Sequence, residues 1–296
     1  MSIARAWKRT AIINKQIISI RSSDLIKIRD LWSISLKPAT IIRRFAFLSN
    51  IYSVAKYEWQ LYYIPDNPVK LVKKPKVKND RNRRIIQNIT ILGSNPIESP
   101  KNELDWIIKR TKSKVLPTII CIAVETAMRR SEIINIRREH INFEDGTLFI
   151  PDSKNGDSRT IPLSPIAKYT LINYLSKNNS KNKLFNISTS AVSKSFHRAL
   201  LLAREDYIKT CEKYHQEENK VILTDLRFHD LRHEATSRLA SVYSMHELAR
   251  ITGHKDTRML LRYYHPDVIQ LGQKLAQSQL GQLQFNVINQ MLLQLL

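Results

Sequence analysis

The chain has 296 residues, 43% of them hydrophobic, enough for two domains or one large one with a true core. Its formal net charge of +22 far exceeds what solubility requires and points to a polyanionic partner, nucleic acid first. A membrane partner is not expected, since no uninterrupted apolar run reaches the roughly 18 residues of a span. The N-terminus MSIARAWKRTAIINK interleaves its cations with apolar residues, unlike a signal peptide, so a cytoplasmic, nucleoid-associated protein is expected. Cys121 and Cys211 are too few for a disulfide framework or a cysteine zinc site.

In chain order, residues 1–70 read as a helical module. Ile41, Ile42, Phe45, Leu48, Ile51, Tyr52 and Ala55 recur at steps of three and four behind Thr40, a candidate N-cap. Arg43, Arg44 and Lys56 lie off that stripe, which gives the module a basic exterior suited to DNA. Residues 71–94 read as a basic linker broken by Pro75, with Lys73, Lys74, Lys76, Lys78, Arg81, Arg83 and Arg84 as candidate phosphate contacts. Such a run is also what a plain solvated segment looks like.

From Pro117 the apolar helix TIICIAVETAM is expected to run into Arg129, and Glu132, three residues on, shares a helical face with it. Strands follow in GTLFIP and RTIPLS. Between them Asn155-Gly156 is a two-residue turn signal that places Lys154 beside a hairpin tip. Helices return in SPIAKYTLINYLS, in the long SAVSKSFHRALLLAREDYIKTCEKYHQEEN and in the segment of His229, Arg232 and His233. His229 and His233 are four apart, but the zinc-protease pattern needs Glu directly after the first histidine and Asp230 stands there, so no metal is expected. His254 and Tyr263 are nine apart and would face opposite ways on one helix. Gly253 and Asp256-Thr257 supply a break, with Asp256 a candidate N-cap for a short helix carrying Tyr263. Two adjacent tyrosines at a helix end are, by themselves, ordinary packing residues. Beyond Lys274 the tail carries no charge, and its apolar residues, Leu280 to Leu296, need a cover supplied either by its own domain or by a partner. The expected fold class is mainly α with a small antiparallel β-sheet.

Taken in order, TAMRRSE, SKNGDSR, HDLRH, GH and RYYH resemble the tyrosine recombinase (phage integrase) family over roughly residues 95–270. The wording NPVKLVKKPKV and ETAMRRSEI leans to its shufflon-type DNA invertase and integrase branch. The resemblance implies a catalytic domain over 95–271 with Arg129, Lys154, His229, Arg232, His254 and Tyr263 as active-site residues and Glu132 supporting the first arginine. It further implies DNA cleavage and rejoining through a 3′-phosphotyrosyl intermediate, with no cofactor, by a homotetramer on double-stranded DNA. The tail 272–296 would dock on neighbouring subunits, and DNA-bending accessory proteins are candidate partners. This chain departs from the family pattern at Ala127, where glycine is frequent, in extra charged residues between Leu202 and Leu223, and in an N-terminal module that starts late, as if shortened. A recombination-deficient DNA-binding remnant and a type IB topoisomerase-like enzyme remain as alternatives.

Overall fold

The computed structural model describes residues 2–77, 81, 83–151, 158–178, 182–264 and 268–294. It divides into two compact units, Met1–Arg81 and Asn82–Leu296. Lys78, Lys154 and the expected Asn155-Gly156 turn lie outside the described residues.

The first unit holds helices α1 (Ile3–Trp7), α2 (Ser22–Ser35) and α3 (Pro38–Tyr57). The apolar stripe of α3 is buried at Ile41, Phe45, Leu48, Tyr52 and Ala55. Trp7, Trp32 and Phe45 meet edge to face with ring centroids 4.8 to 6.0 Å apart. Thr40 is not the cap: α3 begins at Pro38 behind Lys37, because proline's fixed φ and missing N–H suit the first helical turn. The unit also extends past residue 70. A short 3-10 turn, Pro68–Leu71, buries Val69, and Val72 follows it into the same core. Arg43, Lys73, Lys74 and Lys76 are exposed, whereas Arg44 lies over the Trp32 ring at 4.5 Å.

The second unit begins where a linker was expected. Ile85, Ile89 and Ile91 are buried in its core, so residues 83–94 belong to the folded domain. Arg83 and Arg84 are held internally. Arg83 pairs with the fully buried Glu103, and Arg84 donates from Nε to Glu234 at 2.7 Å. A carboxylate buried in this way demands a cation, and that demand takes both guanidinium groups away from the role of free linker charges. The unit continues through α4 (Glu103–Arg110), α5 (Leu116–Thr126) and α6 (Arg130–Ile134). An antiparallel sheet of β1 (Ile141–Asn142), β2 (Thr147–Ile150) and β3 (Arg159–Pro162) follows, in register Leu148 to Ile161 and Ile150 to Arg159. Helices α7 (Pro165–Lys177), α8 (Thr189–Lys213), α9 (Asp230–Leu239) and α10 (Met245–Thr252) complete the core. The extra charged stretch after Leu202 lengthens α8, whose buried Tyr207 stands edge-on to Trp106 at 5.8 Å. Among the described residues the fold is therefore mainly helical with one small antiparallel sheet, as expected.

The tail forms α11 (Val268–Gln277) and α12 (Gln279–Gln294). Leu280, Leu283, Phe285 and Met291 stand more than half exposed. Among the described residues no helix is long and apolar enough to cross a membrane.

Candidate active site

Helix α5 stops at Thr126 because Ala127 adopts a left-handed conformation, φ 53°, while fully buried. The expected run of this helix into Arg129 is thus interrupted. The reversal makes Arg129 the residue that caps α6. Its N–H donates to Glu132 Oε2 at 2.8 Å, its Nη1 to Glu132 Oε1 at 2.9 Å and its Nη2 to the Gly253 carbonyl at 3.0 Å.

Arg159, at the start of β3, reaches the same carboxylate with Nη2 at 2.8 Å and donates from Nε to the Ile251 carbonyl at 2.9 Å. Burial pushes the Glu132 carboxyl up, but Arg159, the Arg129 N–H and the Arg129 guanidinium outweigh it and hold the group below its ordinary range. Sequence reading missed Arg159. The available signal was strand alternation, which puts this arginine on the same sheet face as the fully buried Ile161.

Arg232 lies on α9, buried, with its guanidinium donating to the Ala127 carbonyl and, at 2.7 Å, to the Thr252 carbonyl. Burial, then the neighbouring Arg129, lowers its pKa to about 10, which still leaves it charged at neutral pH. Gly253 ends α10 at φ 68°, and a Cβ there would stand 3.0 Å from Arg159 Nη1 and 3.3 Å from Arg129 Nη1. A side chain there would be strained by the positive φ and would press on both guanidinium groups.

His254 follows directly. Its Nδ1 lies 2.6 Å from Thr252 Oγ1, whose own proton goes to the Leu248 carbonyl, so Nδ1 carries the hydrogen and Nε2 the lone pair. Burial, then Arg232 and Arg129, lowers the imidazole pKa to about 4. Asp256 caps the 3-10 turn Thr257–Met259 by accepting from Arg258 N at 3.0 Å, and a second turn, Leu261–Tyr263, carries the tyrosine. The break between His254 and Tyr263 is thus two short 3-10 turns anchored by the fully buried Leu260. The adjacent tyrosines separate into two roles. Tyr264 donates to the Tyr243 carbonyl at 2.7 Å as a packing residue, while the Tyr263 phenol sits 2.5 Å from His233 Nδ1.

Arg129, His229, Arg232, His233, His254 and Tyr263 line one cavity of about 400 Å³, together with Lys255, Arg262 and Asp256. Five of the six residues singled out from the sequence converge there, with Glu132 behind them, and Lys154 lies outside the described residues. Asp256 is engaged by Arg258 at 2.8 Å, so the cavity offers a net cationic lining to an anion of phosphate size. Among the described residues no group of three or more His, Cys, Asp and Glu is placed to hold a metal ion.

The E. coli shufflon-specific DNA recombinase is 32% identical over 278 residues, covering 90% of this chain and 64% of that protein, so the chain spans just under two thirds of that relative's length. Among solved structures, the Tn1549 transposon integrase in complex with transposon right end DNA superposes with a TM-score of 0.66 at 17% identity, covering 93% of this chain and 91% of that one. A λ integrase dimer bound to a COC′ core site gives a TM-score of 0.62 at 21% identity, covering 89% and 86%. At these identities the structures establish a shared fold. The phage integrase family model matches residues 100–268, more than half of the chain and the whole of the cationic cavity, and the protein belongs to that family of tyrosine recombinases.

Proposed function

We propose that the protein is a site-specific DNA recombinase that integrates, excises or inverts a mobile element by cleaving and rejoining DNA through a 3′-phosphotyrosyl intermediate. The observation that carries this reading is the placement of the Tyr263 phenol in one cavity with Arg129 and Arg232, all on the same chain. A phosphodiester seated there has its non-bridging oxygens met by two planar, permanently charged donors, and removing one such donor commonly costs about 3 to 4 kcal/mol of transition-state stabilisation. Attack by the phenol forms the Tyr263–phosphorus bond and expels the 5′ oxygen, so the bond energy is kept for rejoining and no ATP is needed. Lys154 is the proposed acid toward that 5′ oxygen, since an ammonium can give up a proton and a guanidinium cannot. His254 can donate to the phosphate from Nε2 only as imidazolium, a form that the arriving negative charge favours. The fixed cations supply the charge that a divalent ion would, so cleavage should survive EDTA.

Exchange between two duplexes requires two strands of each to be cut, hence four tyrosines and a homotetramer. The exposed apolar side chains of α11 and α12 supply a surface for docking on neighbouring subunits. The exposed Arg43, Lys73, Lys74 and Lys76 are proposed phosphate contacts of the first unit, and DNA-bending accessory proteins at the nucleoid are proposed partners.

The test is a nicked duplex built from DNA flanking the gene, on which cleavage traps the enzyme. A covalent adduct that is lost in Tyr263→Phe is expected. No adduct on any flanking repeat that the protein protects in a footprint would sink the reading in favour of a DNA-binding remnant, and relaxation of plasmids lacking such repeats would favour a topoisomerase-like activity.

A further inference from the structure

We propose that His233 is the base that takes the phenolic proton of Tyr263 as the phenol attacks the scissile phosphate, an inference that rests on the recombinase reading above. In the structure the phenol's hydrogen-bond partner is this residue. Nδ1 of His233 lies 2.5 Å from the Tyr263 oxygen, and the two rings stack at 6.2 Å with 29° between their planes. His233 follows Arg232 on α9, so one helix fixes both a donor to the phosphate and the acceptor for the nucleophile's proton. His229, one turn back, meets the His233 ring edge-on at 5.0 Å and helps hold it in place.

The direction of the hydrogen bond follows from acidity. Burial raises the Tyr263 phenol above its ordinary pKa, against the pull of Arg262 and Arg232, so the proton does not leave unaided. The groups facing the imidazole are His229 at the cap of α9, Asp230 and Arg232 on that helix, His254 after α10, and Arg262 and Tyr263 on the second 3-10 turn. Burial, then His229 and Arg262, lowers its pKa to about 4, so it stands neutral, and an imidazole lone pair is a better acceptor than a phenolic oxygen. The phenol therefore donates to Nδ1.

Before attack the transfer is uphill. As the Tyr263 oxygen bonds to phosphorus it becomes an ester oxygen that can no longer hold a proton, and the proton passes to Nδ1 in the transition state. In balance, the Tyr263–phosphorus bond forms, the bond from phosphorus to the 5′ oxygen breaks, the phenolic proton moves to His233 and the 5′ oxygen receives one from the acid on its side. In rejoining, the imidazolium returns its proton to the departing phenolate. Cleavage and rejoining should therefore depend on His233 alike.

The experiment measures single-turnover adduct formation by the full chain on the nicked flanking duplex, for wild type, His233→Phe and His233→Asn. Asparagine leaves an amide oxygen near the Nδ1 position, able to bond the phenol but not to take its proton. Both variants should retain DNA in a gel shift and cleave about 100-fold more slowly or worse. Their rates should climb with pH between about 6 and 8, where the wild-type rate is level, because hydroxide must then remove the proton. A substrate with sulfur in place of the bridging 5′ oxygen, whose leaving group needs no proton, should not restore them. Rates within about threefold of wild type, recovery in His233→Asn, or rescue by the sulfur substrate would each overturn the assignment. Absence of an adduct in the wild type would instead remove the recombinase reading itself, and this inference with it.

Discussion

Glu132 grips Arg129 at two points, one carboxylate oxygen accepting from the backbone N–H at 2.8 Å and the other from the guanidinium at 2.9 Å, while Arg159 claims the same group from the far side. The side chain of Glu132 is 2% exposed, and Arg159's is 7%. Taking the carboxylate's charge away therefore leaves a buried guanidinium without compensation, a change that costs about 3 to 5 kcal/mol. Glu132→Gln should lower unfolding stability by that order in denaturant melts and cut adduct formation at least about 100-fold. Its folded pKa is depressed, so this stabilisation is present above the ordinary carboxylate range and lost as pH falls through the folded value. Equal stability of wild type and variant at neutral pH would show that the carboxylate does not hold the two arginines.

The histidines predict a second acid-sensitive window, at higher pH. His233 and His254 both fall from an ordinary 6.5 to about 4 in the folded protein, chiefly by burial. Between those values the unfolded chain binds more protons, so stability rises with pH, and acidification from about 6.5 to about 4 should remove on the order of 2 kcal/mol for each histidine after allowance for partial exposure. Urea melts across that range should show the slope, and replacing both residues with glutamine should flatten it. A slope unchanged in the double variant would assign the acid sensitivity elsewhere.

What was legible in the sequence was what local periodicity encodes. The stripe of α3, the alternation of β2 and β3 and the break at Gly253 are patterns within a few residues of themselves. What was not legible depends on partners far along the chain. Arg83 and Arg84 read as linker charges because their carboxylates stand 20 and 150 residues away. His233, once a metal pair with His229 is set aside, had no role in the sequence because the phenol it meets is 30 residues on. The order of the five motifs carried the site because it records which distant segments the fold assembles, something no propensity reports.

Ala127 is the position where local preference was overruled, since alanine is the best helix former and nothing nearby marks the end of α5. The left-handed conformation costs an L-residue about 1 to 2 kcal/mol, and the carbonyl so exposed receives the Arg232 guanidinium. Ala127→Gly should be neutral or stabilising by up to about 1 kcal/mol, the relief of φ 53° offsetting the lost methyl. Ala127→Val should destabilise by about 2 kcal/mol or more, because a β-branched residue tolerates that φ worst and the site has no room. It should also slow cleavage, as Arg232 and Arg129 lose their common reference. A valine variant as stable as wild type would mean that the turn relaxes without consequence for the arginines.

The tail gives a prediction in which stability and assembly separate. Leu283 is 58% exposed and Phe285 64%, so a charge at either removes little from the chain's own core. Leu283→Glu with Phe285→Glu should leave the melting temperature within about 2 °C of wild type. If α12 docks on a neighbouring subunit, the same pair places buried, unpartnered carboxylates in that interface and should abolish higher assemblies on DNA. Sedimentation with and without a flanking-repeat duplex reads both outcomes. Cleavage of a single nicked site should persist in the variant, since Arg129, Arg232 and Tyr263 line one cavity within one chain, while strand exchange between two duplexes should be lost. Full exchange by the doubly charged variant would remove the tail from the assembly.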